Sequence, residues 1–266
     1  MDYITTNNSF SWKRVGMVAR FYYPRLKWQL ALYPLAAFLF TLAGGYLLKA
    51  GFPAILISPF SSIASWMVYL GPLFLIIKSS REVETMLPAT AKEQATCLIL
   101  YAALLLPLIT SIPGWAGSFV VFGTMNLTSV MSYINFPPEA KEALEYIGPE
   151  LNRTSYYGVF TVVTCSLITL LTVVRAKRNR IILSIVFVIA FNFVMTIIGV
   201  IAMFSKMFSD GGVISRIQDG TPVDETTKEF IQELFPATLN VMAIFGTISI
   251  AVLIPMIYRG IKNRQA

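Results

Sequence analysis

The chain has 266 residues, of which 56% are hydrophobic and 13% charged, with a formal net charge of +7. Soluble domains carry about a quarter charged residues, so this composition, with a mean hydropathy of +0.67, points to a membrane protein. The absence of histidine excludes histidine-based triads, histidine metal sites and imidazole proton relays.

The chain opens on a basic lead-in, "SFSWKRVGMVARFYYPRLKWQ". On a 3.6-residue wheel Lys13, Arg20 and Lys27 share one face, while Trp12, Val15, Val18, Ala19, Tyr22 and Leu26 fall roughly opposite. That pattern predicts an interfacial helix within residues 1–27, with its basic face toward lipid phosphates. Pro24 is expected to end or bend it, and Arg25 does not fit the clean division. The alternative is a basic flank that sets topology without a helix of its own. The lead-in is too long for a cleaved signal, and no A-x-A site follows a short apolar core.

A membrane-crossing helix needs about 20 apolar residues. Six runs free of Asp, Glu, Lys and Arg qualify, at about 28–48, 53–77, 95–122, 156–174, 181–204 and 236–258. The expected fold is therefore an all-α polytopic membrane protein, one transmembrane domain spanning 1–266. Pro107 and Pro113 predict a kinked or broken end in the third run. Cys97 and Cys165 lie inside apolar runs, form no CxxC, and read as small packing residues.

Basic residues set the orientation. With a cytoplasmic N-terminus, 15 of the 21 basic residues and 4 of the 14 acids fall on inner segments. That gives +11 inside and −4 outside, with both termini cytoplasmic. The basic balance thus reports topology, and no nucleic-acid partner is needed to explain it.

Between the second and third runs lies "REVETMLPATAKEQ", from Arg81 to Gln94. Thr90 and Glu93 have the S/T-x-x-E spacing of a capping box, in which each side chain satisfies a free backbone N–H at a helix start. Pro88 keeps a preceding helix from running through, and biases Leu87 toward extended geometry. A short surface helix at 79–86, a sharp corner and a long helix from Ala91 are expected.

The outer loops span about 123–155 and 205–235. In the first, Pro138 suits the opening turn of a short helix, with Glu139 and Glu142 at its positive end. In the second, Thr221 is a plausible N-cap and Pro222 an N1 residue. A stripe of Phe230, Ile231, Leu234 and Phe235 could dip into the outer leaflet and lead into the sixth span.

The runs do contain polar residues. Ser58, Ser61, Ser62 and Ser65 recur at helical spacing, and Tyr69 continues that face. Thr161, Cys165, Thr169 and Thr172 form a similar stripe, and Asn192 and Asn240 are lone amides. Close helix packing is one reading, with small residues permitting contact and amides bonding between helices. A polar lining for a translocation path, through Ser61, Ser65, Tyr69, Asn192 and Asn240, is the other.

No GxxxxGK[ST], HExxH or GxSxG occurs, so no P-loop, zinc-hydrolase helix or nucleophile elbow is expected. Without Asp, Glu, Lys, Arg or His in the runs, proton-coupled transport and intramembrane catalysis are disfavoured. Neither an enzyme nor a cofactor is indicated.

The segment around Leu87, Pro88, Ala89, Thr90 and Glu93 resembles the LPAS-x-x-E-K stretch that precedes the third span in membrane subunits of type 2 ABC exporters. Thr replaces Ser here, and Gln94 departs from the usual Lys. The six runs, basic lead-in and long segment between the fifth and sixth are similar in layout. The resemblance implies a permease subunit in a bacterial inner membrane, paired with a similar subunit as a homodimer or heterodimer. A separate ATP-binding cassette ATPase would power it. The loop at 79–94 would be the coupling segment, placing Arg81, Glu82, Glu84, Leu87 and Pro88 at the ATPase contact. The bland reading is a solvated, capped turn. A membrane protein without transport activity on the same frame, serving assembly, sensing or immunity, is the alternative function; a secondary carrier is a weaker one.

The orientation is testable by cysteine labelling. A thiol placed at position 86 should be protected from impermeant reagents applied outside, and one at position 225 should react. The reverse pattern would overturn the orientation.

Overall fold

The computed structural model describes residues 10–52, 63, 65–75, 89–123, 158–176, 178–208 and 223–265, with the backbone alone at 206–207, 223–236 and 264–265. Among these there is no strand. Six helices follow in chain order: α1 (Trp12–Lys49), α2 (Ser65–Leu75), α3 (Ala91–Phe122), α4 (Gly158–Arg175), α5 (Arg180–Met207) and α6 (Val223–Gln265). All but α2 include a stretch long and apolar enough to cross a membrane, as expected of a multi-pass membrane protein.

α1 corrects the expectation of a separate interfacial helix. It is one continuous 38-residue helix with Pro24 and Pro34 inside it, so Pro24 does not end it. The reason lies in its buried stripe. Val15, Val18, Tyr22, Leu26, Gln29, Tyr33 and Ala37 are buried at steps of three and four residues, so one face packs on the protein through both prolines. That continuous packing outweighs the hydrogen bond each proline removes. The apolar side of the lead-in therefore covers neighbouring helices instead of lying in lipid, and Trp12 and Ala19 are exposed. Lys13, Arg20 and Lys27 are exposed, as their shared face predicts. Arg25 is accounted for by its aromatic neighbours, its guanidinium lying 4.6 Å from the Phe21 ring centroid.

Of the kink or break expected at the prolines of α3, there is no break: the helix runs on from Ala91 to Phe122, with a change of helical geometry before Pro107. A π turn at Tyr101–Leu105 interrupts the α geometry just before Pro107, which sits in the first turn of the α segment Leu106–Phe122. The wider turn accommodates the missing N–H of the proline. The Thr110 hydroxyl packs back on the same turn, 3.0 Å from the carbonyl oxygens of both Leu106 and Pro107. Gly123 then takes a left-handed φ of 69° and donates its N–H to the Phe119 carbonyl, ending the helix.

A further difference concerns α6, where the expected outer helix and sixth span are a single 43-residue helix, Val223–Gln265. Thr221 and Pro222, placed by sequence at its start, lie outside the described residues, as does the short helix expected to open at Pro138.

α1 and α3 run parallel and form the most extensive pair of helices. Small residues let them approach. A Cβ at Gly117 would lie 3.0 Å from Thr41 Cβ and 3.1 Å from the Phe38 carbonyl oxygen, and one at Gly45 would lie 3.0 Å from Val121 Cγ1. The main core collects toward the end where α1 and α3 begin. It joins Val18, Tyr22 and Leu26 of α1, Ala95, Leu98 and Ala102 of α3, Leu167, Leu170 and Val174 of α4, and Leu253, Ile257 and Ile261 of α6. Leu75 of α2 reaches the same core. α5 stands at the periphery, with Phe187, Ile189, Phe193, Ile197 and Ile201 exposed. Such a surface suits lipid.

The close approach yields a test by unfolding in mixed micelles. Gly117→Ala should destabilise by about 1–3 kcal/mol, because the added methyl would press on Thr41 Cβ and the Phe38 carbonyl, neither of them the free end of a flexible side chain. Gly16→Ala, where an added Cβ meets nothing within 4 Å, should leave stability unchanged or raise it by about 0.5–1 kcal/mol.

Candidate functional site

The charged corner before α3 is where sequence and geometry meet. Thr90 is extended (φ −70°, ψ 157°) and caps α3. Its hydroxyl accepts the Glu93 N–H at 3.4 Å, and its own N–H donates to Glu93 Oε2 at 2.9 Å. The capping box is complete.

Glu93 does more than the box requires. Its side chain is 0% exposed. The Ser11 N–H donates to Oε1 at 2.7 Å, and Arg14 Nε lies 2.9 Å from Oε1 and 3.0 Å from Oε2. Arg14 Nη2 completes the ion pair, 2.8 Å from Oε1. Ser11 is the N-cap of α1 and makes no side-chain cap of its own. One carboxylate thus takes backbone N–H groups at the starts of two helices, near the positive ends of both dipoles. Arg14 supplies the compensating charge through its fork. The sequence exposed the cap but not this second role. Spacing cannot reveal a partner 79 positions away, and Arg14 reads there only as one more basic residue of the lead-in.

Two further contacts align α1 with α3. Gln29, 1% exposed, donates through Nε2 to the Gly71 carbonyl at 3.2 Å and accepts from the Tyr101 hydroxyl. This joins α1, the 3₁₀ turn of α2 and the π turn of α3 at one buried point. Gly71 is confined there, since a Cβ would fall 2.7 Å from Leu106 Cδ1. At the far end the Lys49 ammonium donates to the Val121 carbonyl and lies 5.7 Å from the Phe122 ring centroid. An anion at the helix starts and a cation at the α3 C-terminus both suit the dipole.

The other residues singled out by sequence divide as follows. Arg81, Glu82, Glu84, Leu87, Pro88 and Ser61 lie outside the described residues. Ser65 and Tyr69 hydrogen-bond to each other on α2. Asn192 donates to Cys165 Sγ at 3.4 Å and to the Val188 carbonyl at 2.8 Å. The Thr172 and Ser184 hydroxyls share a hydrogen bond, so α4 and α5 are joined at two levels. These amide and hydroxyl contacts are of the kind that packs helices together. Asn240 is exposed on α6. Cys97 and Cys165 are free thiols, half-buried and buried. Among the described residues no cluster could hold a metal ion.

No family model, no curated protein and no solved structure matches the chain.

The cap and the clamp separate by mutation. Thr90→Ala removes only the cap hydroxyl and should cost about 1 kcal/mol in unfolding. Glu93→Ala also releases Ser11 and Arg14 and should cost about 2–4 kcal/mol. Equal losses would mean that Glu93 serves the capping box alone.

Proposed function

We propose that the chain is the transmembrane subunit of an ABC-type exporter in a bacterial inner membrane, powered by an ATPase on a separate chain. The segment Arg81–Pro88 is the coupling contact in this reading, with Glu82 and Glu84 as its acidic feature. One observation carries most weight. The corner that follows the segment is tied through Glu93 to Ser11 and Arg14. A push delivered at 81–88 would therefore be handed to the starts of α1 and α3 together, and these two helices are packed along their length. A transport subunit driven from outside itself needs such a link between its docking segment and its spans.

The remaining support comes from sequence. The chain has no nucleotide-binding motif, so the energy source would be another protein. The acidic pair runs against the basic trend of the inner segments, and neither residue is needed for the turn. A six-span unit of this kind would work beside a second copy or a similar subunit.

The test is co-purification with an ATPase expressed from a neighbouring gene. We expect a complex with the native chain and its loss when Glu82 and Glu84 are both changed to lysine, with the yield of membrane-inserted chain unchanged. A complex indifferent to both changes would remove the coupling role. Absence of any ATPase partner would favour a non-transporting membrane protein on the same frame.

A further inference from the structure

A groove of about 600 Å³ opens between α4, α5 and α6. Its walls are almost wholly apolar, with Ile168 and Leu171 on α4, Phe187, Phe191 and Val194 on α5, and Leu253 on α6. Thr172 also lines it, but its hydroxyl is engaged with Thr169 and Ser184. The one charged lining residue is Arg175, the last residue of α4. Arg178 follows in the turn to α5, and Arg180 opens α5, donating through Nε to the Ala176 carbonyl at 2.7 Å. Gly260 of α6 fits close beside this end, where a Cβ would lie 2.7 Å from Val174 Cγ1 and 3.2 Å from Arg175 Cγ. A bare backbone at 260 therefore leaves the stem of Arg175 its place at the mouth.

We propose that this groove holds one acyl chain of an anionic phospholipid, with Arg175 and Arg178 engaging the headgroup phosphate. Dimensions, chemistry and charge meet on this occupant. From Leu183 to Val194 the α5 wall rises about 16 Å, close to the roughly 15 Å depth of one leaflet. The mouth lies at the polar end of two apolar helices, where a headgroup sits. Guanidinium groups bind phosphate oxygens through paired N–H donors, and a cluster of basic residues beside a span favours anionic lipid. A second copy docked by two-fold symmetry through this face would set the same arginines against each other. The inference does not depend on the exporter reading, since a lipid site is compatible with any multi-pass protein.

Native mass spectrometry of the full chain in detergent tests it, after incubation with dioleoyl phosphatidylglycerol or dioleoyl phosphatidylcholine at equal mole fraction. The expected result is one retained phosphatidylglycerol per chain and no comparable retention of phosphatidylcholine. Joint Arg175→Gln and Arg178→Gln changes should weaken phosphatidylglycerol binding roughly tenfold. Ala190→Trp, which fills the groove from an exposed wall position, should lower retention with every arginine intact, and so decides the matter if the arginine variant fails to fold. Equal retention of the two lipids would overturn the proposal, as would phosphatidylglycerol binding that survives the groove-filling change. A dimer that dissociates on Ala190→Trp, with lipid retention unaltered, would assign the groove to a second copy instead.

Discussion

The architecture depends on one buried carboxylate. Every helix start leaves N–H groups without an intrahelical acceptor, and burying two such starts side by side demands a partner for both. Glu93 serves Thr90 at the start of α3 and Ser11 at the start of α1. A carboxylate buried alone would be costly, and Arg14 lowers that cost with three close nitrogen–oxygen contacts. Both helices begin at this point and run from it side by side in the same direction. The rest of their pairing follows from that shared origin: Gln29 meets Tyr101, Thr41 lies over Gly117, and Lys49 closes on Val121.

The remaining helices arrange themselves around this parallel pair with decreasing intimacy. α2 is brought in by the buried contact of its Gly71 carbonyl with Gln29. α4 contributes a face of small and apolar residues, Thr164 to Val174, that is almost entirely buried. α5 joins mainly through α4 and α6 and shows most of its surface to the surroundings. A gradient of this kind separates a fixed centre from a peripheral layer. It also fits the position of the apolar groove beside α5, away from the α1–α3 pair. For function, the same gradient means that displacement of the corner at Thr90 would move the central pair as a unit, while α5 and α6, 17% and 11% buried over their most apolar stretches, are held less closely.

Much of this was written in local sequence. Five of the six apolar runs free of charge coincide with helices long and apolar enough to cross a membrane, since nothing but burial or lipid accommodates 20 such residues; the second run is described only over part of its length. The Thr90–Glu93 spacing gave the start of α3 because a capping box is a local contact. The basic stripe Lys13, Arg20 and Lys27 fell on the exposed face for the same reason. What failed were inferences from a single residue against a long context. Pro24 did not end α1, since a stripe of buried side chains continues past it. Pro107 marks a local change to a π turn without ending α3. The partners of Glu93 and Gln29 were illegible because they lie more than 40 positions away in sequence. Yet the steps Leu26, Gln29 and Tyr33 place that amide within the buried stripe, a trace that could have marked it.

The central claim is that Arg14 and Glu93 act as one unit joining two helix starts. A double-mutant cycle in mixed-micelle unfolding tests it most directly, with Arg14→Ala, Glu93→Ala and the double change compared with the native chain. The account predicts that once Glu93 is gone, removing Arg14 costs little more, so that the double change is scarcely worse than Glu93→Ala alone. Fully additive losses would show that the two side chains stabilise the protein independently and would contradict it.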